Sequence, residues 1–312
     1  MQEAVSRALP PLASAKLPIL VAMSARRKLT ASDGVDLAYW LWRAAGSDDR
    51  LLVLLHGAAS NHTRWSELVE HTSLARSWSI LAPDLRGNGE SMVRGGQRCS
   101  LWSRDLVEML DAEGFPTAVL VGHSLGAQIA MHMAHHHPQR VRGLVLIDPV
   151  FPRGVQGKQR RLVQLRWLVH AVRAAVRALN ALGLRRRAIP NRDIRRLDEE
   201  TREALRGAES FEAIARRYTS LRPILSSLPT ANYLGQMIAT VAPLPPLGEI
   251  EVPVAVLLSG ESTLADTDVN REEAARFPRS EVITLHANHW PLTEAPDETR
   301  EAIEGWIERT FA

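Results

Sequence analysis

The chain has 312 residues, is 45% hydrophobic and 23% charged, and carries a formal net charge of +3. Those proportions suit a globular protein and exclude a disordered chain. No run of about 18 apolar residues occurs, which excludes a transmembrane helix of the usual kind, and the lone Cys99 excludes an intrachain disulfide and a cysteine-built zinc site. In chain order, the first feature is a short apolar run from Leu17 to Met23, broken by Pro18 and followed by Arg26, Arg27 and Lys28. A secretory signal wants an apolar stretch of about 7–15 residues and a clear cleavage site. The run therefore favours an N-terminal extension, over residues 1–28, above export. The expected location is cytoplasmic, with membrane association open.

Val35 to Trp42 alternates apolar and polar residues and predicts a strand. Continuous apolar runs follow at Leu51 to Leu55, Ser79 to Ala82, Ala118 to Val121 and Leu144 to Ile147. Continuous rather than alternating runs predict strands covered on both faces, as in a parallel sheet. Helical stretches such as Leu101 to Asp111 and Gln128 to His137 lie between them. Strand alternating with helix predicts a doubly wound, mostly parallel α/β sheet. From about Phe151 to Leu247 nothing reads as a buried strand. The pattern resumes at Val254 to Leu258 and Val282 to Leu285, before a last helix from about Asp297 to Phe311. A structureless loop of that length is implausible. The expected organisation is an α/β core over 29–150 and 248–312, interrupted by a helical cap over 151–247.

Gly122-His123-Ser124-Leu125-Gly126 fits G-x-S-x-G after a predicted strand and before a predicted helix, the context that motif demands. A sharp turn there pushes the Ser124 hydroxyl into the open. The Leu125 N–H, at the helix start, would point at a developing oxyanion. His56-Gly57-Ala58-Ala59 follows an earlier strand, and Ala58 is placed to lend a second N–H. A nucleophilic serine needs a base, and His289, after the last predicted strand, is the candidate. His286 competes but ends the strand and is expected to point into the structure. His135, His136 and His137 lack metal-ligand spacing, since adjacent helical residues point in different directions. No metal and no cofactor are expected.

These residues, with the loop Asp84-Leu85-Arg86-Gly87-Asn88-Gly89-Glu90-Ser91 and the segment Asn288-His289-Trp290-Pro291, resemble the α/β-hydrolase superfamily from about Thr30 onward. Asn88 and Asn288 stand where many members have His and Gly. The resemblance implies an eight-stranded sheet with a helical cap inserted after the sixth strand. It also implies a triad acid three residues after the glycine that follows the seventh strand, a position that holds Thr263. Two places for the acid remain open: Asp148, at the end of the sixth strand, or a longer loop that brings in Asp266, with Asp268 and Glu261 behind it. Asp148 is preferred. A serine at the elbow argues against epoxide opening and halide displacement, for which relatives use aspartate.

Only three of the 38 cations are lysines, Lys16, Lys28 and Lys158. Residues 153–187 carry ten cations and no acid, so the rest of the chain sums to −7. Gln159, Arg166, His170, Arg173, Arg177 and Asn180 recur at helical spacing as a polar stripe. Leu165, Leu168, Val169, Val172, Val176 and Leu179 supply the apolar remainder, with Trp167 joining them if the helix lies on lipid. Either this is a packed cap helix with its arginines in water, or it lies on anionic lipid. Nucleic acid is a poor fit, because no recognised binding fold accompanies the stripe. The expected function is serine hydrolysis of a lipophilic carboxylic ester, with residues from Leu221 to Met237 lining the acyl pocket. Thioesters, lactones, carbon–carbon bonds and perhydrolysis use the same triad. A non-catalytic ligand-binding protein is the alternative of another class. Oligomeric state is not legible.

Overall fold

The computed structural model describes residues 25–45, 49–156, 160, 163–207, 210–261 and 266–312. Thr263 and most of the expected N-terminal extension lie outside the described residues. So do Gln159 of the polar stripe and Lys158.

Eight strands form one sheet in the order β1-β2-β4-β3-β5-β6-β7-β8. They are β1 (Ala25–Thr30), β2 (Asp36–Trp42), β3 (Leu51–Leu55), β4 (Ser79–Pro83), β5 (Ala118–His123), β6 (Val141–Ile147), β7 (Val254–Ser259) and β8 (Ser280–Leu285). β2 pairs antiparallel with β1 and β4, and every other pairing is parallel. Ala25 to Lys28, assigned above to the extension, belong instead to the edge strand β1. Arg26, Arg27 and Lys28 are exposed there. Cations along an open edge oppose pairing with another chain.

The five residues of β3 are all buried, and the strand alternation sorts them into two cores. Leu51, Val53 and Leu55 join one apolar cluster with Trp102, Leu106 and Met109 of helix α2 (Cys99–Glu113) and Ile129 and Met133 of α3 (Leu125–His136). Leu52 and Leu54 join the other, with Leu68 and Val69 of α1 (Ser66–His71). Ile303 and Trp306, from the C-terminal helix Pro296–Phe311, complete that second cluster. Helices therefore cover both faces, which explains why the central runs are apolar throughout.

The helices described between β6 and β7 include α4 (Arg166–Ala181), α5 (Ile194–Arg206), α6 (Phe211–Thr219), α7 (Leu221–Ser227) and α8 (Thr230–Thr240). Three more follow β7: α9 (Thr267–Ala274), α10 (Pro291–Glu294) and α11 (Pro296–Phe311). No helix among the described residues is long and apolar enough to cross a membrane.

Buried apolar residues of the insertion such as Ile194, Ile214 and Ile224 are joined by polar side chains that fasten it to the core. Arg64 Nη1 lies 2.6 Å from Asp198 Oδ1 of α5, with both side chains only 5% exposed. The same Arg64 nitrogen donates to Thr293 Oγ1 at 2.8 Å, and the Tyr218 hydroxyl of α6 donates to Asp198 Oδ1 at 2.8 Å. Burial holds the Asp198 carboxyl above its ordinary range even beside the Arg64 guanidinium. Asn232 of α8 donates to the carbonyls of Gly87 and Val93 and accepts from the Gly95 N–H.

Two buried histidines end central strands. His56, after β3, donates from Nδ1 to the Gly57 carbonyl (2.8 Å), and its Nε2 accepts from the Leu85 N–H (3.1 Å). His123 ends β5. Burial lowers the pKa of His56 to about 4 and of His123 to about 3, so both are neutral in the folded protein.

Arg64→Ala should lower the unfolding free energy by about 3–5 kcal/mol, because it strands a buried carboxylate. Urea titration checks this, and a loss below about 1 kcal/mol would contradict it. In the unfolded chain the two histidines take protons below about pH 6.5, while the folded chain refuses them until about pH 4. Their contribution is therefore intact above pH 6.5 and is lost as pH falls. Each costs roughly 1.4 kcal/mol per pH unit within that window. The proton uptake on unfolding near pH 5 should drop by about one in His123→Gln. An unchanged uptake would show that His123 is not held neutral.

Candidate active site

The strand-to-helix turn at Ser124 is built by steric necessity. β5 ends at His123, Ser124 follows at φ 51° and ψ −111°, and α3 begins at Leu125. A non-glycine residue at positive φ carries strain that the surroundings must hold. Two glycines make this possible. A Cβ on Gly122 would sit 2.5 Å from the Gly126 backbone, and one on Gly126 would run into the Leu55 carbonyl. The Leu125 N–H is the first of its helix and has no acceptor within it.

The loop after β3 approaches from the other side. Gly57 lies so close that a Cβ there would stand 3.6 Å from Ser124 Cβ. Ala59 holds φ 52°. Its N–H is already used, donating to Gln236 Oε1 of α8 at 2.8 Å. Gln236 Nε2 in turn donates to Asn88 Oδ1 at 2.9 Å. The residue that departs from the family's histidine thus holds a buried relay from the Asp84 loop, through the insertion, to the loop carrying Ala58. The rest of that loop is braced internally. Asp84 accepts from His62 Nδ1 (2.7 Å) and from the N–H groups of His62 (2.8 Å) and Glu90 (2.7 Å). Burial raises its carboxyl, but these bonds outweigh burial and hold it below the ordinary range. Arg86 is doubly bonded to Asp105 and to Asp33.

His289 Nδ1 is hydrogen bonded to Asp148 Oδ2. Asp148 stands just past β6 at φ 44°, with its other oxygen accepting from the Ser259 N–H at 3.3 Å. The ends of β6 and β7 thus meet on one carboxylate. Asp266 is placed elsewhere. It caps α9, accepting from the Asp268 and Val269 N–H groups at 3.1 Å and from Gln156 Nε2 at 2.8 Å. His286, expected to point inward, is at the surface on Glu298. The strand runs one residue short of it, so its ring clears the sheet edge. In the histidine run, His135 reaches Glu249 (2.9 Å) while His136 turns back to the His132 carbonyl (3.0 Å).

The loop that carries His289 is held by a residue the sequence reading missed. Glu294 of α10 accepts from the N–H groups of Asn288 (2.9 Å), His289 (3.2 Å) and Trp290 (2.9 Å), and from Asn288 Nδ2 (2.9 Å). Three successive N–H groups on one carboxylate lock the loop that carries the histidine. His123 Nε2 adds a bond to the His289 carbonyl at 3.0 Å. The available signal was an acid five positions after His289, just past Pro291.

Ala58, Ser124 and His289 line one cavity of about 210 Å³, together with Tyr218, Tyr233 and Met237 of the insertion. Ile224 also lines it, whereas Leu221 faces solvent. No group of three or more metal-ligating side chains gathers among the described residues.

A family model described as alpha/beta hydrolase fold matches residues 50–296. An uncharacterized protein of Mycobacterium bovis is 38% identical over 111 residues, which is 34% of this chain and 31% of that protein. The chain thus spans about a third of the length of that relative. The sn-1-specific diacylglycerol lipase ABHD11 of Mus musculus is 24% identical over 259 residues, 82% of this chain and 80% of that one. Among solved structures, a hydrolase from Pseudomonas aeruginosa PA01 is similar with a TM-score of 0.66 at 24% identity, covering 90% of this chain and 98% of that one. With the sheet order, the elbow and the family match in agreement, the chain belongs to the alpha/beta hydrolase fold family.

Proposed function

We propose that the protein is a serine hydrolase that cleaves carboxylic esters through an acyl-enzyme on Ser124. The observation that carries this reading is the hydrogen bond from buried Asp148 to His289, which lines the same cavity as Ser124. Asp148 holds the proton on Nδ1 and leaves Nε2 as the acceptor of the ring. Ser124 Oγ attacks the ester carbonyl as His289 Nε2 takes its proton. The N–H groups of Ala58 and Leu125 receive the oxyanion. His289 then protonates the leaving alcohol, and water repeats the sequence to release the acid. Asp148 stabilises the imidazolium in both halves.

The insertion acts as the cap in this reading. Ile224 and Met237 supply apolar walls for the acyl part, and the tyrosines narrow the space. A cavity of about 210 Å³ is smaller than the usual drug-sized pocket, which favours short acyl chains. The mouse relative named a diacylglycerol lipase supports an ester substrate class.

A panel of p-nitrophenyl esters of graded chain length, with a thioester and a lactone alongside, tests the substrate class. Activity should be highest on short acyl esters and vanish in Ser124→Ala. Activity that survives that substitution would overturn the mechanism. Asp148→Asn should lower kcat by roughly 10⁴, because the amide favours the wrong imidazole tautomer. Asp266→Asn should leave kcat near the wild-type value. The reverse order of effects would reassign the acid.

A further inference from the structure

Helix α4 breaks the ordinary rule of burial. None of its 16 residues is buried. It rests on α8 through a half-buried stripe of Val169, Arg173, Val176 and Asn180. Arg173 and Asn180, which the sequence places on the solvated face, therefore face the protein. Arg173 donates to the Ala231 carbonyl at 3.2 Å.

The remaining apolar residues are turned outward instead. Leu165, Leu168, Val172 and Leu179 are each 44–47% exposed, and Trp167 is 65% exposed. Leu182 and Leu184 extend the ridge past the helix end at 78% and 68%. Spacings of three, four and seven put Leu165, at the helix start, on one side with Leu168, Val172 and Leu179. Scattered exposed leucines need no explanation, but a contiguous ridge of this kind marks an interaction surface.

The charge around the ridge selects the partner. Arg166 and Arg177 lie on the opposite flank, and Arg185 and Arg187 follow the helix. No ion pair among the described residues reaches any of these four. Residues 153–187 contain no acid at all. A protein partner of mixed charge leaves such a field partly unmatched, whereas a sheet of phosphodiesters matches it throughout. A leucine ridge with a tryptophan on its side suits the boundary between headgroups and acyl chains.

We propose that α4 and the segment through Arg187 dock the protein on anionic phospholipid membranes. Leu165, Leu168, Val172, Leu179 and Leu182 enter the headgroup boundary beside Trp167, while the arginines meet lipid phosphates. The proposal rests on the surface of the insertion and is independent of the chemistry at Ser124.

Flotation of the full chain with vesicles tests it. One set is phosphatidylcholine alone, and the other contains about one-third phosphatidylglycerol. Binding should be at least about tenfold tighter to the anionic set and should weaken as salt rises. Leu168→Asp/Leu179→Asp should lose binding to both sets. Arg177→Gln/Arg185→Gln/Arg187→Gln should lose only the anionic preference. All of these substitutions lie on exposed residues, and circular dichroism with thermal unfolding shows that each variant is folded. Three outcomes overturn the proposal: no vesicle binding by the folded wild type, equal binding to both sets, or binding that survives the double aspartate variant. A dimer that Leu168→Asp/Leu179→Asp dissociates, with no lipid binding, would assign the ridge to a second copy of the chain.

Discussion

The site depends on how closely the start of α3 presses against the end of β3. Gly126 packs so tightly on the Leu55 carbonyl that no side chain fits between them. That approach fixes the elbow, holds Ser124 at positive φ, and sets the Leu125 N–H beside the loop that carries Ala58. The strain of one residue is a cost of order 1–3 kcal/mol, and only a rigid surround sustains it. The surround here is a fully buried pair of parallel strands. Glycine at position 126 is therefore a packing requirement first and a functional one second.

The same economy governs the other parts. Asp148 joins the ends of β6 and β7 while holding His289. Glu294 gathers three successive N–H groups and so converts a flexible loop into a fixed one. Gln236 ties α8 to Ala59 on one side and Asn88 on the other. Chemistry at the rim and attachment of the insertion thus share atoms. A disturbance of α8 would be felt at the loop carrying Ala58 without any change in Ser124, His289 or Asp148. The Arg64–Asp198 pair adds a buried electrostatic clamp at a second point of the insertion.

The α/β architecture was legible because buried parallel strands leave continuous apolar runs, as at Leu51 to Leu55. The elbow was legible because its two glycines are demanded by backbone contact and cannot be disguised. Asp148 and Asp266 could not be separated by pattern, since the choice depends on where two strand ends meet across more than a hundred residues of intervening chain. Glu294 and Gln236 were invisible for a similar reason. Their partners are backbone groups, which carry no residue code. The basic helix shows a different limit. Periodicity sorted its residues into apolar and polar sets, but the stripe that meets the protein draws on both, with Val169 and Val176 beside Arg173 and Asn180. Arg173 turned inward to a carbonyl, and the leucines turned out. Edge strand β1 was missed because its cations resemble a flanking segment when read without their partner β2.

The most direct measurement is mass-spectrometric mapping of a fluorophosphonate adduct on the native protein. The account predicts one covalent adduct, located on Ser124, that forms quickly in the wild type and slowly when Asp148 is Asn. An unmodified Ser124 in folded protein, or an adduct placed on another residue, would contradict it.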